Sequence, residues 1–149
     1  MIYGLSFDIS QDELMVLKKV FDKILLKYYW FIPQDQNEVW FDDNDYIFSE
    51  KYTGVNLYSL SENKFKILFL KLQAYKNEPN KYCNIESFDE YLSSSCELMA
   101  LIYDCEYMEV YSKDSEVTLT IEKNVDKLHC SNIQIITDEN IQRNRMNIL

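Results

Sequence analysis

The chain has 149 residues, 25 acidic against 15 basic side chains for a net charge of -10, and 47% hydrophobic residues, among them twelve Tyr, eight Phe and two Trp. That length suits a single domain, residues 1–149, with a real hydrophobic core, and the apolar content excludes general disorder. The surplus of carboxylate weighs against nucleic acid or an anionic membrane as partner, and two Gly and two Pro weigh against a glycine-rich nucleotide-binding fold.

Taken in chain order, Ile2–Asp8 predicts an opening strand with Tyr3, Leu5 and Phe7 on one face. Ser10 precedes Glu13 by three residues, the capping-box spacing, and Leu14, Leu17, Phe21 and Ile24 recur at helical intervals, predicting a helix from about Gln11 to Leu26. Tyr28–Ile32 and Glu38–Phe41 read as short strands joined in a hairpin, Asn56–Asn63 as a short helix, and Lys64–Ala74 as a strand, central where Ile67–Leu70 is apolar on both faces. Ser87 and Glu90 form a second capping box opening a short helix that buries Phe88, Tyr91 and Leu92. Two strands follow, Glu97–Tyr103 and Tyr107–Ser112. Asp114 then caps a helix whose Val117, Ile121, Val125 and Leu128 share a face. Asn132–Thr137 is a last strand, and a short polar tail runs from about residue 138. The pattern predicts an α+β fold: a single mixed or antiparallel sheet with two main helices and one short helix packed against it.

Little in this pattern has the spacing that chemistry demands. Asp42, Asp43 and Asp45 have the composition of a calcium loop. A loop starting at Asp43, however, puts Phe48 where glycine is needed and Gly54 where the last glutamate belongs. His129 and Cys130 are neighbours near a helix end, and consecutive helical side chains do not face each other. Cys83, Cys96, Cys105 and Cys130 follow no metal spacing and are expected as free thiols. No catalytic residue, metal or cofactor is nominated. The acids at residues 35–50, unaccompanied by any base up to Glu50, are interleaved with Trp40, Phe41, Tyr46 and Phe48. Trp40, Asp42, Asp43, Asp45 and Tyr46 are therefore candidates for contact with a basic protein. The competing account makes Trp40 and Phe48 core residues, and for Trp40 it is the preferred one. In the tail, Asp138, Arg143 and Arg145 are candidates for an anion site or for pairing with the protein's own acids or those of a second copy.

The segments GLSFDI, YYW at Tyr28–Trp30, the block Ser87–Asp114, and the ending IITDEN with Arg143 and Arg145 resemble, nearly end to end, the uncharacterised Bacillus-type domain of unknown function 2691. The resemblance implies a bacterial cytoplasmic setting and carries no functional residues across. No basic leader precedes the first acids, and no apolar run nears the roughly 18 residues that span a bilayer. The expected function is a noncatalytic protein-binding or regulatory role, with a protein partner or self-association, no nucleic acid and no membrane. The alternatives are a small hydrolase or transferase using carboxylates or the tail arginines, and a mimic of nucleic-acid charge.

Overall fold

A computed structural model describes residues 1–149. The strands are β1 (Ile2–Asp8), β2 (Tyr29–Phe31), β3 (Asn37–Phe41), β4 (Asn44–Tyr46), β5 (Lys51–Tyr52), β6 (Lys66–Tyr75), β7 (Cys96–Tyr103), β8 (Tyr107–Ser112) and β9 (Ser131–Thr137). The helices are α1 (Val16–Phe21), continued by a 3-10 turn over Asp22–Lys27, α2 (Gly54–Leu60), α3 (Phe88–Ser93) and α4 (Ser115–Lys127). The fold is α+β, and every strand pair in its one sheet is antiparallel. The helix count differs from expectation: α4, with 13 residues, is the only helix longer than two turns.

The main path through the sheet is β4-β3-β6-β7-β8-β1-β9. Ten-residue β6 is its spine: β3 pairs with its first half and β2, itself paired to β5, with its second half. The predicted β2–β3 hairpin is therefore not formed. Each strand is short, so both fit end to end along one side of β6, where each gains a longer partner than the other would offer. A hairpin forms one step later, β3 to β4.

The first helix also differs. Ser10 Oγ accepts from the Asp12 N–H, and Glu13 accepts from the Met15 N–H and pairs with Lys19. Both residues are spent on a turn, and the helix starts only at Val16. Asp22 has φ 47, which ends the α geometry and passes the chain into the 3-10 turn. The apolar stripe survives the change, since Leu17, Val20, Phe21, Ile24 and Leu25 are all buried, while Leu14 is left exposed. The other two N-caps form: Ser87 accepts from Glu90 N–H, with the Glu90 carboxylate reaching back to the Glu86 N–H rather than to that of Ser87, and Asp114 accepts from Glu116 and Val117 N–H.

Two apolar layers flank the sheet. One packs Leu5, Phe7, Leu70, Leu72, Ala100 and Val110 against α1, α2 and α4. The other packs Phe31, Tyr75, Met99, Leu101 and Tyr111 under Ile85, α3 and the tail residue Met146. Tyr3 joins this second layer through an edge-on contact with Phe88, 5.0 Å between ring centroids, and does not share a face with Leu5 and Phe7. The cause is a register shift between Ile2 and Gly4 in the pairing with β9. Gly4 itself has no space for a side chain, because a Cβ there would lie 1.9 Å from the Val110 carbonyl oxygen. Leu92, expected inside, is exposed on α3.

Candidate functional site

The acid-rich segment becomes the β3–β4 hairpin. Asp42 and Asp43 occupy its two turn positions with φ 51 and 62, the left-handed geometry that a two-residue hairpin of right-handed twist requires and that Asp tolerates. Alternation then divides the side chains. Phe41, Tyr46 and Phe48 turn inward and meet Phe65, with centroid separations of 5.3, 5.0 and 5.1 Å. Tyr46 is thus half-buried in an aromatic cluster rather than presented to a partner, and burial raises its pKa.

Trp40 faces the other way. It stands between Asp45 on β4 and Lys66 on β6, 41% exposed, which overturns its assignment to the core. Ile47, missed as a candidate, is 74% exposed. The signal was present in the sequence: Tyr46 and Phe48 alternate inward, so Ile47 between them must point out. Glu38, Asp42, Asp43 and Asp45 are exposed, and none belongs to an ion pair within the chain. The hairpin is an acidic surface with two apolar side chains standing out of it.

The three tail candidates do not form one site. Asp138 pairs with the amino terminus at 3.1 Å and accepts from the Tyr3 hydroxyl, and both interactions hold its carboxyl below the usual range. Arg143 reaches back over β8 to Glu109, with Nε at 3.0 and 3.1 Å from the two carboxylate oxygens and a terminal nitrogen at 2.9 Å. Tyr103 and Tyr111 also donate to Glu109. Burial pushes the Glu109 pKa up, and the bonds from Arg143, Tyr111 and Tyr103 outweigh it, so the net shift is downward. Burial and then Glu109 push Tyr103 up to about 12. A polar cleft of about 540 Å³ opens beside this cluster, with Ser6 and Gln134 in its floor and the tail as its wall. Its strongest charges, Arg143 and Glu109, already neutralise each other. Arg145 lies on the rim, exposed, in no ion pair.

A third cluster was not legible in the sequence. Lys71 is fully buried in β6, its ammonium donating to Asn84 Oδ1 at 2.6 Å, Asn147 Oδ1 at 3.1 Å and the Ile85 carbonyl. No carboxylate lies within ion-pair distance, and burial, outweighing the pull of more distant acids such as Glu86 and Glu90, brings its pKa down to about 8. Gln36, also buried, accepts from the Ile148 and Leu149 N–H groups. These polar residues fasten the tail to the sheet.

His129 ends α4 in left-handed geometry, φ 56, as a helix-terminal residue exposed to solvent. The four cysteines are free thiols, and no three His, Cys, Asp or Glu side chains are grouped to hold a metal ion. No helix is long and apolar enough to cross a membrane.

Residues 2–147 match a family described as "Protein of unknown function (DUF2691)". The chain is also similar to the uncharacterized protein YncE of Bacillus subtilis (strain 168), 29% identical over 90 residues. That match covers 60% of this chain and 58% of YncE, so it spans less than two thirds of the relative's length. No solved structure matches.

Proposed function

The chain belongs to the DUF2691 family, and from that starting point we propose that it is a noncatalytic binding protein whose partner is a basic protein engaged by the β3–β4 hairpin. The observation that carries this reading is the pairing of exposed Trp40 and Ile47 with four carboxylates that form no ion pair within the fold. Unpaired acids raise encounter rates with a cationic surface, and a half-exposed indole supplies anchor area. The four free thiols suit a reducing, cytoplasmic setting.

The test is recovery of partners from the native cell with the wild-type chain and two variants. Replacing Asp42, Asp43 and Asp45 by Asn should slow association at least about tenfold and flatten its salt dependence. Trp40→Ala should instead speed dissociation, costing about 2 kcal/mol of affinity. Because all four side chains are exposed, both variants should fold normally. A partner that binds both variants as tightly as wild type would defeat the hairpin reading. The enzyme alternative has one observation in its favour, the polar cleft beside Arg143. The pairing of Arg143 with Glu109 leaves that cleft with no unpaired carboxylate and with Arg145 as its one unpaired cation, a group too basic to exchange protons near neutral pH, and the binding reading is preferred.

A further inference from the structure

The hairpin lies at one edge of the sheet. At the opposite edge a second cleft, of about 730 Å³, opens between the first half of α4 and the start of β1. Its volume falls in the range of small-molecule sites, roughly 300–1,000 Å³. Five of its lining residues, Met1, Ile2, Leu92, Leu119 and Ile135, are large apolar side chains that the fold leaves exposed, Leu119 at 56%. An apolar helix position such as Leu119 has no role in the core, which α4 serves through Val117, Ile121 and Val125. Exposed apolar groups gathered around a concavity mark a binding surface more strongly than the same groups scattered.

The polar groups are few and placed at the ends. Lys113 lines one end, its ammonium donating to the Ser94 carbonyl at 2.6 Å and lying 4.9 Å from the centre of the Tyr91 ring. No carboxylate pairs with it, and neighbouring Glu97 is taken by Lys76 at 2.9 Å. Ser115 and Thr118 add hydroxyls on the α4 side. Glu122 lies seven residues beyond Ser115, about 10 Å along the helix, and sets a negative limit at the far end. The other cation of the lining, the Met1 ammonium, is held by Asp138 at 3.1 Å, so the lining best fits an occupant apolar along its length and anionic at the Lys113 end.

A strand from another chain is a poor occupant, because the adjoining edge of β9 is already plugged. The Asn140 side-chain amide donates to the Ile135 carbonyl at 2.8 Å and accepts from the Thr137 N–H at 2.7 Å. Those are the bonds a neighbouring strand would make.

We propose that this cleft binds a medium-chain acyl carboxylate, its chain lying on Ile2, Leu119 and Ile135 and its carboxylate against Lys113. The site is independent of the hairpin and stands or falls separately.

The test is titration of the methyl-labelled full chain with octanoate, octanol and octylammonium, followed by NMR. Octanoate should shift the methyl signals of Ile2, Leu119 and Ile135 saturably, and bind about tenfold more tightly than octanol, as one charge-assisted hydrogen bond implies. Octylammonium should bind more weakly still. Lys113→Gln should reduce octanoate to the level of octanol and leave octanol unchanged, whereas Leu119→Gln, on an exposed helix position, should weaken all three. The proposal is overturned by the absence of saturable shifts at those methyls, by octylammonium matching octanoate, or by Lys113→Gln leaving the octanoate affinity intact.

Discussion

Lys71 occupies a position where the apolar–polar alternation of residues 70–74 promises a solvent-facing side chain, yet it is fully buried, and its environment fixes how it titrates. The ammonium has three acceptors but no ion-pair partner, so folding makes its proton easier to lose. Below pH about 8 the native and unfolded chains both keep the proton, and this residue contributes no pH dependence. Above it the unfolded chain still holds a proton that the native state has released, so stability rises with pH up to the ordinary lysine value. Denaturation in urea should show a gain of about 2 kcal/mol per 1.5 pH units across that window. The gain is best read below about pH 10, where buried tyrosines with raised pKa values, such as Tyr75 and Tyr91, begin to oppose it. Lys71→Met should flatten the slope. An unchanged slope in that variant would show that the dependence comes from elsewhere. Glu109 acts with the same sign in a lower window: its lowered carboxyl supports the fold fully above the ordinary carboxylate range and loses that support as acid titrates it.

At the scale of elements, local signals were reliable where one residue answers to its near neighbours and failed where a distant partner decides. The Ser87 and Asp114 caps, β1, β7, β8 and the buried face of α4 all follow from spacing within a few residues. The Ser10–Glu13 box has the same spacing and no helix, because Glu13 is drawn to Lys19 and Met15. The β2–β3 hairpin failed because β6 offers both strands a better side. Edge protection is likewise invisible to periodicity. Asn140 reads as a tail residue, yet it occupies the backbone of β9. Asn140→Ala should expose that edge beside the apolar Ile133 and Ile135 and promote self-association, visible as concentration-dependent mass in sedimentation. A variant that stays as monodisperse as wild type would assign the protection to another feature.

For the whole molecule, the least legible feature is that the polar tail is a covering layer. Its composition gives no periodic signal, but Met146 is fully buried beneath it and the Lys71, Gln36 and Arg143 networks hold it down. Met146→Ala should lower the unfolding free energy by about 2–4 kcal/mol in a single cooperative transition, a far larger effect than a frayed end allows. A loss below about 0.5 kcal/mol would mean the tail lies outside the cooperative unit. The acidic hairpin was legible as a charge pattern, but which aromatic it exposes depended on register, and the acyl cleft depended on elements more than 80 residues apart in the numbering, from Ile2 to Leu92 and Leu119. The same long reach governs the order of events on the ribosome. Strand β1 pairs only with β8 and β9, and residues 9–106 separate it from the first of them. At bacterial elongation rates Leu5 and Phe7 therefore wait roughly 5–20 s after emerging before either partner strand exists. A strand made about a hundred residues ahead of its partners is among the last to find its place, and for that interval it depends on whatever shields nascent apolar strands in the cell.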